Sequence, residues 1–328
     1  MLNDLTFSHF GDNKLPLVVK PNASDFDLTR WASESKSEIR GWLNEFGAVL
    51  FRDFNVENIE DFEAVAAAST SPDWVEYLEA TSPRDHVKGN TSTSTKYKND
   101  RMIFFHNEKS YSGTWPYYLF FFCDIPSSVG GETPLSNCRA IYKDIPRDIL
   151  DKFEKKKLMY VRRFSNNMGI PWKQAFGVDN AQQLEEYCKK NYIEQLSWNA
   201  DGTPVLKYVR DTALEHPITG DKCWFNHGTF FNVHSLEPEL KDFFLSNFGQ
   251  EGLPYNTYYG DGEAIEEDVI DTLRALYEKH SVSFSWQKGD VVLIDNMLVA
   301  HGRRPFEGER NILVTMTERV DYANTQTI

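Results

Sequence analysis

Cysteine is scarce in this chain, and the four present, Cys123, Cys138, Cys188 and Cys223, show no Cys-x-x-Cys spacing. That is too few for a disulfide framework and the wrong pattern for a thiolate-held metal, so reduced thiols in a cytoplasmic setting are expected. Positive charge is short as well: 35 Lys and Arg stand against 49 Asp and Glu, a net charge of −14. The basic footprint that a nucleic-acid partner needs is missing. Apolar runs long enough for a membrane helix do not occur, and residues 1–5 carry no basic segment ahead of an apolar one. A soluble, unprocessed protein without a membrane partner is therefore expected. His-Glu-x-x-His is also absent, which speaks against the helical zinc site of many hydrolases. Neither an internal repeat nor a Pro- or Ser-rich linker divides the sequence, and one domain across residues 1–328 is expected.

Aromatic residues, by contrast, are abundant: 23 Phe, 15 Tyr and 8 Trp within a hydrophobic fraction of 41% supply a large core. Residues 25–46 carry Phe26, Leu28, Trp31, Ile39, Trp42, Leu43 and Phe46 at near-helical spacing and predict a helix, followed by a strand over 47–52. A second short helix is predicted at 56–69, and residues 90–100, without an apolar period, read as a loop. Residues 115–123, Trp-Pro-Tyr-Tyr-Leu-Phe-Phe-Phe-Cys, read as a buried strand. Helices over 139–157 and 181–191 make a helical insertion of about 139–200. Strands at 204–210, 223–226, 282–286, 291–295 and 311–320, with helices near 237–248 and 263–279, close the chain. Strands at both ends with helices between them fit a mainly β protein. Its core would be a double-stranded β-helix, a cupin-like jelly roll over about 40–135 and 200–320, with helical decoration and a lid.

Chance alone supplies about one His-x-Asp/Glu in a chain with 8 His and 49 acids among 328 residues, so His106-Asn107-Glu108 carries no weight by itself. Its setting gives it weight. The apolar run Ile103-Phe104-Phe105 leads into it, and on a strand residues i and i+2 share a face, so His106 and Glu108 reach one metal while Asn107 turns away. His301 ends the apolar run Met297-Leu298-Val299-Ala300 and offers a third ligand. Two imidazoles and one carboxylate are the donor set of an iron(II) centre that keeps three positions free.

The ordered pattern His106-x-Glu108, Gly130-Gly131-Glu132-Thr133-Pro134, and Asp295-Asn296 leading to His301-Gly302-Arg303 and Arg310 resembles the TauD/TfdA and clavaminate-synthase-like iron(II)/2-oxoglutarate dioxygenases. The resemblance covers roughly residues 40 to 320. It implies that His106, Glu108 and His301 bind iron, that Arg310 pairs with the distal carboxylate of 2-oxoglutarate, and that Thr133 hydrogen-bonds the same carboxylate. A planar guanidinium suits that duty, since it grips a carboxylate bidentately and keeps its charge when half buried. Arg303 and Arg304, nearer to His301, are the alternative anchors. The implied reaction consumes 2-oxoglutarate and O2, yields succinate and carbon dioxide, and oxidises an unactivated C–H bond by hydroxylation, desaturation or ring closure. Glu108 in the carboxylate position disfavours halogenation.

Substrate identity is open at this level. The resemblance favours a small amino-acid-like or carboxylated metabolite of biosynthesis, free or carrier-tethered. Arg84, Asn90, Asn226, His227 and Arg303 are the candidate substrate contacts, with Arg163 and Arg210 as further partners for a carboxylate. Asn226 and His227 stand among Trp224, Phe225 and Gly228, where core packing explains the aromatics equally well. His9, His86, His216, His234 and His280 read as surface or hydrogen-bonded structural histidines. Residues 91–95 are either a lid segment or a plain solvated loop. Two other functions compete: a peptide-modifying oxygenase of the same fold, and a noncatalytic metal-binding barrel or zinc hydrolase. Nothing in the sequence speaks to oligomeric state.

Overall fold

Asp27 opens the first helix, Leu28–Glu34, by accepting a hydrogen bond from the Arg30 amide. Ser35 then interrupts what the apolar spacing reads as a single helix, and Lys36–Phe46 follows as a second. Gly47 ends it in the left-handed region at φ 82°, donating to the Leu43 carbonyl at 2.7 Å. A Cβ there would meet Cγ2 of Val299 at 2.5 Å, so both conformation and space demand glycine. The chain turns directly into the strand Ala48–Phe51, all of it buried. A third helix, Ile59–Ser69, starts at Asn58, whose side chain caps the Asp61 amide. The computed structural model describes residues 2–10, 14–82, 84–95, 97–166 and 168–325.

The near-continuous apolar run of Thr114–Ile125 forms the middle of an eight-stranded sheet, its first ten residues buried. Val291–Asp295 pairs antiparallel along one side of it and Asn311–Asp321 along the other. Ala48–Phe51, Leu17–Pro21 and Leu5–His9 extend the sheet one way, Thr91–Thr93 and His86–Lys88 the other. A second sheet has four strands in the order Ser281–Val282, Leu135–Asn137, Val299–Arg303 and Ile103–His106. That sheet carries both candidate histidine ligands.

A third sheet, Gln195–Trp198, Pro204–Arg210, Leu158–Arg163 and Tyr255–Tyr259, was not foreseen as a unit. Its strand Leu158–Arg163 hides behind the Arg147–Lys156 helix, where charged residues blur the alternation. Residues 139–200 therefore hold strands as well as helices. Helices and strands occupy comparable shares of the described residues, so the mainly β expectation is corrected to a mixed fold with large sheets. The strand expected at 282–286 shrinks to Ser281–Val282, because Phe284 and Trp286 pack their rings together in the core instead of pairing backbone.

Gly47→Ala is expected to lower stability by about 1–3 kcal/mol, since it adds a strained φ to a steric clash. Urea unfolding reads this directly, and an unchanged midpoint would show that the turn relaxes freely.

Candidate active site

His106 is the last residue of its strand, and its Nδ1 donates to the Phe104 carbonyl at 2.9 Å, which fixes the tautomer and leaves Nε2 as a lone-pair donor. His301 lies directly across the antiparallel ladder from it, with the ring centroids 4.4 Å apart. The register shift beyond this pair falls at Gly302, where a Cβ would meet the Ile103 carbonyl at 2.6 Å. Nδ1 of His301 is buried without a hydrogen-bond partner.

Glu108 reaches the pair differently from the strand argument. The strand stops at His106, and residues 108–110 form a turn. That turn is held by Asn296: its Oδ1 accepts from the Glu108 amide at 2.8 Å, and its Nδ2 donates to the carbonyls of Glu108 and Pro116, each at 2.9 Å. Asn107 does face away, as expected, donating to the Asn296 carbonyl at 2.7 Å. Ligand atoms of His106, Glu108 and His301 lie within 4.8 Å of one another, all three residues buried.

Burial and the neighbouring Arg84 hold His106 below its ordinary pKa. Burial, His106 and Arg84 hold His301 well below its own. Burial pushes the Glu108 carboxyl up, but Arg84 and His106 outweigh it and the net shift is downward. Neutral imidazoles, an ionised carboxylate and an orphaned buried nitrogen are the state a divalent cation needs from its ligands.

Two cavities adjoin at His106 and Arg84. The smaller is bordered by His301, Thr133 and Arg310. Arg310 donates through Nε to the Gly131 carbonyl at 2.9 Å and lies 3.5 Å from the Thr133 hydroxyl, which also accepts from Trp286 Nε1 at 3.2 Å. Gly131, at φ 74°, packs so closely that a Cβ would stand 3.0 Å from Cδ of Arg310. The Gly130-Gly131 turn is thus a seat for the arginine. Among the described residues no carboxylate pairs with Arg310, and burial beside Arg303 pushes it down to about 10. The larger cavity, about 460 Å³, runs from His106 and Glu108 past Tyr77 and His227 to Phe230, Leu240 and Phe244.

Several expected contacts are corrected. Arg303 borders the smaller cavity but spends both terminal nitrogens on the carbonyls of Tyr97, Lys98 and Arg101, tying down a loop and leaving only Nε without a partner. Arg304 pairs with Glu278 and borders neither cavity, leaving Arg310 as the arginine beside Thr133. Asn90 lies outside both cavities, in a turn where its amide meets Glu63 and its carbonyl meets Thr315. Asn226 is consumed by Thr212 and the Gly228 amide, and Arg210 by the carbonyls of Tyr192, Val209 and Asn191. Arg163 lines neither cavity. His227 and Arg84 do face the site; Nδ1 of His227 donates to the Asn107 carbonyl at 3.1 Å. Sequence reasoning missed the clamp role of Asn296, although the residue stood in the motif. It also missed the wall formed by Tyr77, Phe230 and Phe244, for which no local signal exists.

A buried two-histidine, one-carboxylate triad with open faces is the metal centre of non-haem iron oxygenases. The chain belongs to the family described as "Taurine catabolism dioxygenase TauD, TfdA family", whose model matches residues 13–317. It is accordingly a dioxygenase that depends on iron(II), 2-oxoglutarate and O2, which sets aside the noncatalytic barrel and the zinc hydrolase. Dapdiamide synthesis protein DdaC of Enterobacter agglomerans is 32% identical over 278 residues, covering 85% of this chain and 84% of that protein. A clavaminate synthase-like protein of Arabidopsis thaliana is 28% identical over 326 residues, covering 94% and 95%. Among solved structures, PvcB of Pseudomonas aeruginosa shares the fold at a TM-score of 0.57 and 14% identity, over 95% of this chain and 91% of that one.

Asn296→Ala is expected to weaken Mn(II) binding by roughly 10- to 100-fold and to cost about 1–3 kcal/mol in stability. Calorimetric titration and urea unfolding check both; a variant that binds Mn(II) as tightly as the parent would remove Asn296 from the account. Because His301 is held neutral, the metal-free protein should also lose stability as pH falls through about 6.5, where the unfolded chain takes up a proton that the folded one refuses. In His301→Gln this part of the pH slope should vanish, and an identical slope in both proteins would contradict the assignment.

Proposed function

We propose that His106, Glu108 and His301 hold the iron, that Arg310 and Thr133 bind the distal carboxylate of 2-oxoglutarate in the smaller cavity, and that the larger cavity takes a small carboxylated or amino-acid-like metabolite. The observation that carries this reading is the isolation of Arg310. A buried guanidinium with no ion-paired carboxylate among the described residues, lining the same cavity as His106 and His301, is poised for an anionic co-substrate of fixed length. The larger cavity falls within the range of small-molecule sites, which favours a metabolite over a peptide.

Iron, 2-oxoglutarate and oxygen bound together supply an oxidant strong enough to take hydrogen from an unactivated C–H bond, with succinate and carbon dioxide as coproducts. The chain's own residues do the positioning. The Phe104 carbonyl keeps the His106 lone pair turned outward, Arg84 keeps Glu108 ionised, and Asn296 sets its reach. Phe230, Leu240 and Phe244 give the larger cavity an apolar wall against which the body of a substrate packs. Whether the outcome is hydroxylation, desaturation or ring closure depends on which bond this wall presents.

The eight- and four-stranded sheets, with the site between them, support a double-stranded β-helix core within a single catalytic domain. Four unpaired, buried cysteines support a cytoplasmic setting. The names of DdaC and PvcB, one given for dapdiamide synthesis and the other described as belonging to an isonitrile synthetic pathway, support a biosynthetic substrate, free or carrier-tethered.

Arg310→Ala should raise the 2-oxoglutarate KM by roughly 10- to 100-fold while the iron requirement changes little. Succinate release, measured against each ligand in turn, tests this, and equal effects on both would move the anchor elsewhere. His106→Ala should abolish succinate formation in a protein that still folds cooperatively; turnover at the parent's level would refute the ligand set. Product masses across a panel of amino acids and N-alkylated amino acids then separate a gain of one oxygen from a loss of two hydrogens.

A further inference from the structure

Arg84 is only partly used by its one strong partner. Its Nη2 donates to Oε2 of Glu108 at 2.6 Å, while Nε and Nη1 are buried and meet no acceptor. The side chain is 7% exposed, its guanidinium rests 4.1 Å above the Tyr77 ring, and it borders both cavities. Buried N–H donors of a charged group are rarely left empty in a working protein, and the acceptor that suits a guanidinium best is a carboxylate.

The rest of the larger cavity narrows the ligand further. Glu108 and Glu237 are the acids that line it; the first is committed to the ligand triad and Arg84, and the second is ion-paired with Arg101. Among the described residues the wall therefore offers no spare acid for an ammonium group. Away from the metal it is built from Phe230, Phe231, Leu240, Phe244 and Leu253. We propose that Arg84 anchors the substrate by its carboxylate, and that the substrate is an anionic small molecule with an apolar body and no free cationic amine. This rests on the larger cavity being the substrate site, and it narrows the metabolite class given above. A carboxylate held at Arg84 lies beside Glu108, so the carbons nearest the acid group are the ones presented for oxidation.

The test uses the enzyme loaded with Mn(II) and 2-oxoglutarate in the absence of oxygen, titrated calorimetrically with 3-phenylpropionate, 3-phenylpropionamide and 3-phenylpropylamine. The carboxylate is expected to bind at least about tenfold more tightly than the amide, with the amine weakest. Arg84→Gln should erase that preference, and Arg84→Lys, which keeps the charge but loses the bidentate fork, should reduce it; both should weaken phenylpropionate more than 2-oxoglutarate. Arg84→Lys keeps a charge beside Glu108 and carries the comparison if Arg84→Gln sheds Mn(II). The inference is overturned if the parent enzyme binds the amide as well as the carboxylate or binds neither, or if the variants weaken 2-oxoglutarate more than phenylpropionate, which would assign the free donors of Arg84 to the co-substrate. A parent enzyme that takes up neither Mn(II) nor 2-oxoglutarate would instead sink the proposed function itself.

Discussion

The carboxamide of Asn296 is the constraint on which the His106, Glu108 and His301 triad depends. It is fully buried and satisfied on every side: by the amide and carbonyl of Glu108, by the Pro116 carbonyl, and through its own backbone by Asn107 and Tyr117. A buried amide with all its bonds made specifies one geometry, because any shift leaves donors or acceptors empty in a region water does not reach. Asp295 secures it in turn, accepting from the amides of Met297 and Leu298 and bonding the buried His216. One turn therefore sets two distances. It holds Glu108 through the side chain of Asn296, and it delivers the strand Val299–Arg303 so that His301 arrives opposite His106.

Around that frame the charges are unbalanced by design of the packing. Arg84 and Arg310 are both buried near the triad; Arg84 is ion-paired with Glu108, while among the described residues no carboxylate forms an ion pair with Arg310. Burial keeps the imidazoles neutral, so the site is not further charged by protonation at ordinary pH. A divalent cation adds to the positive excess. Such a site disfavours cations as further ligands and draws anions.

Much of this was legible in the sequence, for reasons that differ by residue. The strands Thr114–Ile125, Val291–Asp295 and Asn311–Asp321 announced themselves because buried strands leave long apolar runs. His106 and Glu108 were rightly grouped, yet the strand rule that grouped them does not describe them. A turn and a distant amide bring the carboxylate round, and a contact with Asn296 leaves no local trace. Arg303 and Arg310 could not be separated by position alone, since both follow His301; what separates them is the Tyr97, Lys98 and Arg101 carbonyls that occupy one and the glycine seat that orients the other. Asn90 and Asn226 look equally functional as letters. The side-chain amide of Asn226 turns out to satisfy backbone groups, a common fate of a buried asparagine, while Asn90 meets Glu63 and Thr315 through its own backbone in a turn.

The triad and the wall of the larger cavity are built from different parts of the chain. His106 and His301 sit on paired strands of one sheet, and the arginine seat leans on the Gly130-Gly131 turn beside it, where displacement costs backbone hydrogen bonds. The wall of the larger cavity comes instead from Tyr77 and Arg84 before the first ligand, and from Phe230, Leu240 and Phe244 on short helices after the third sheet has begun. The helix Pro238–Phe248 has no buried residue of its own, so its inward side chains are held by few neighbours and exchange at little cost to the core. Substitution in that wall can thus reshape what is bound without moving a metal ligand. The cavity wall, with Arg84 at its metal-side end, is thus set apart along the chain from the motif that marks the family.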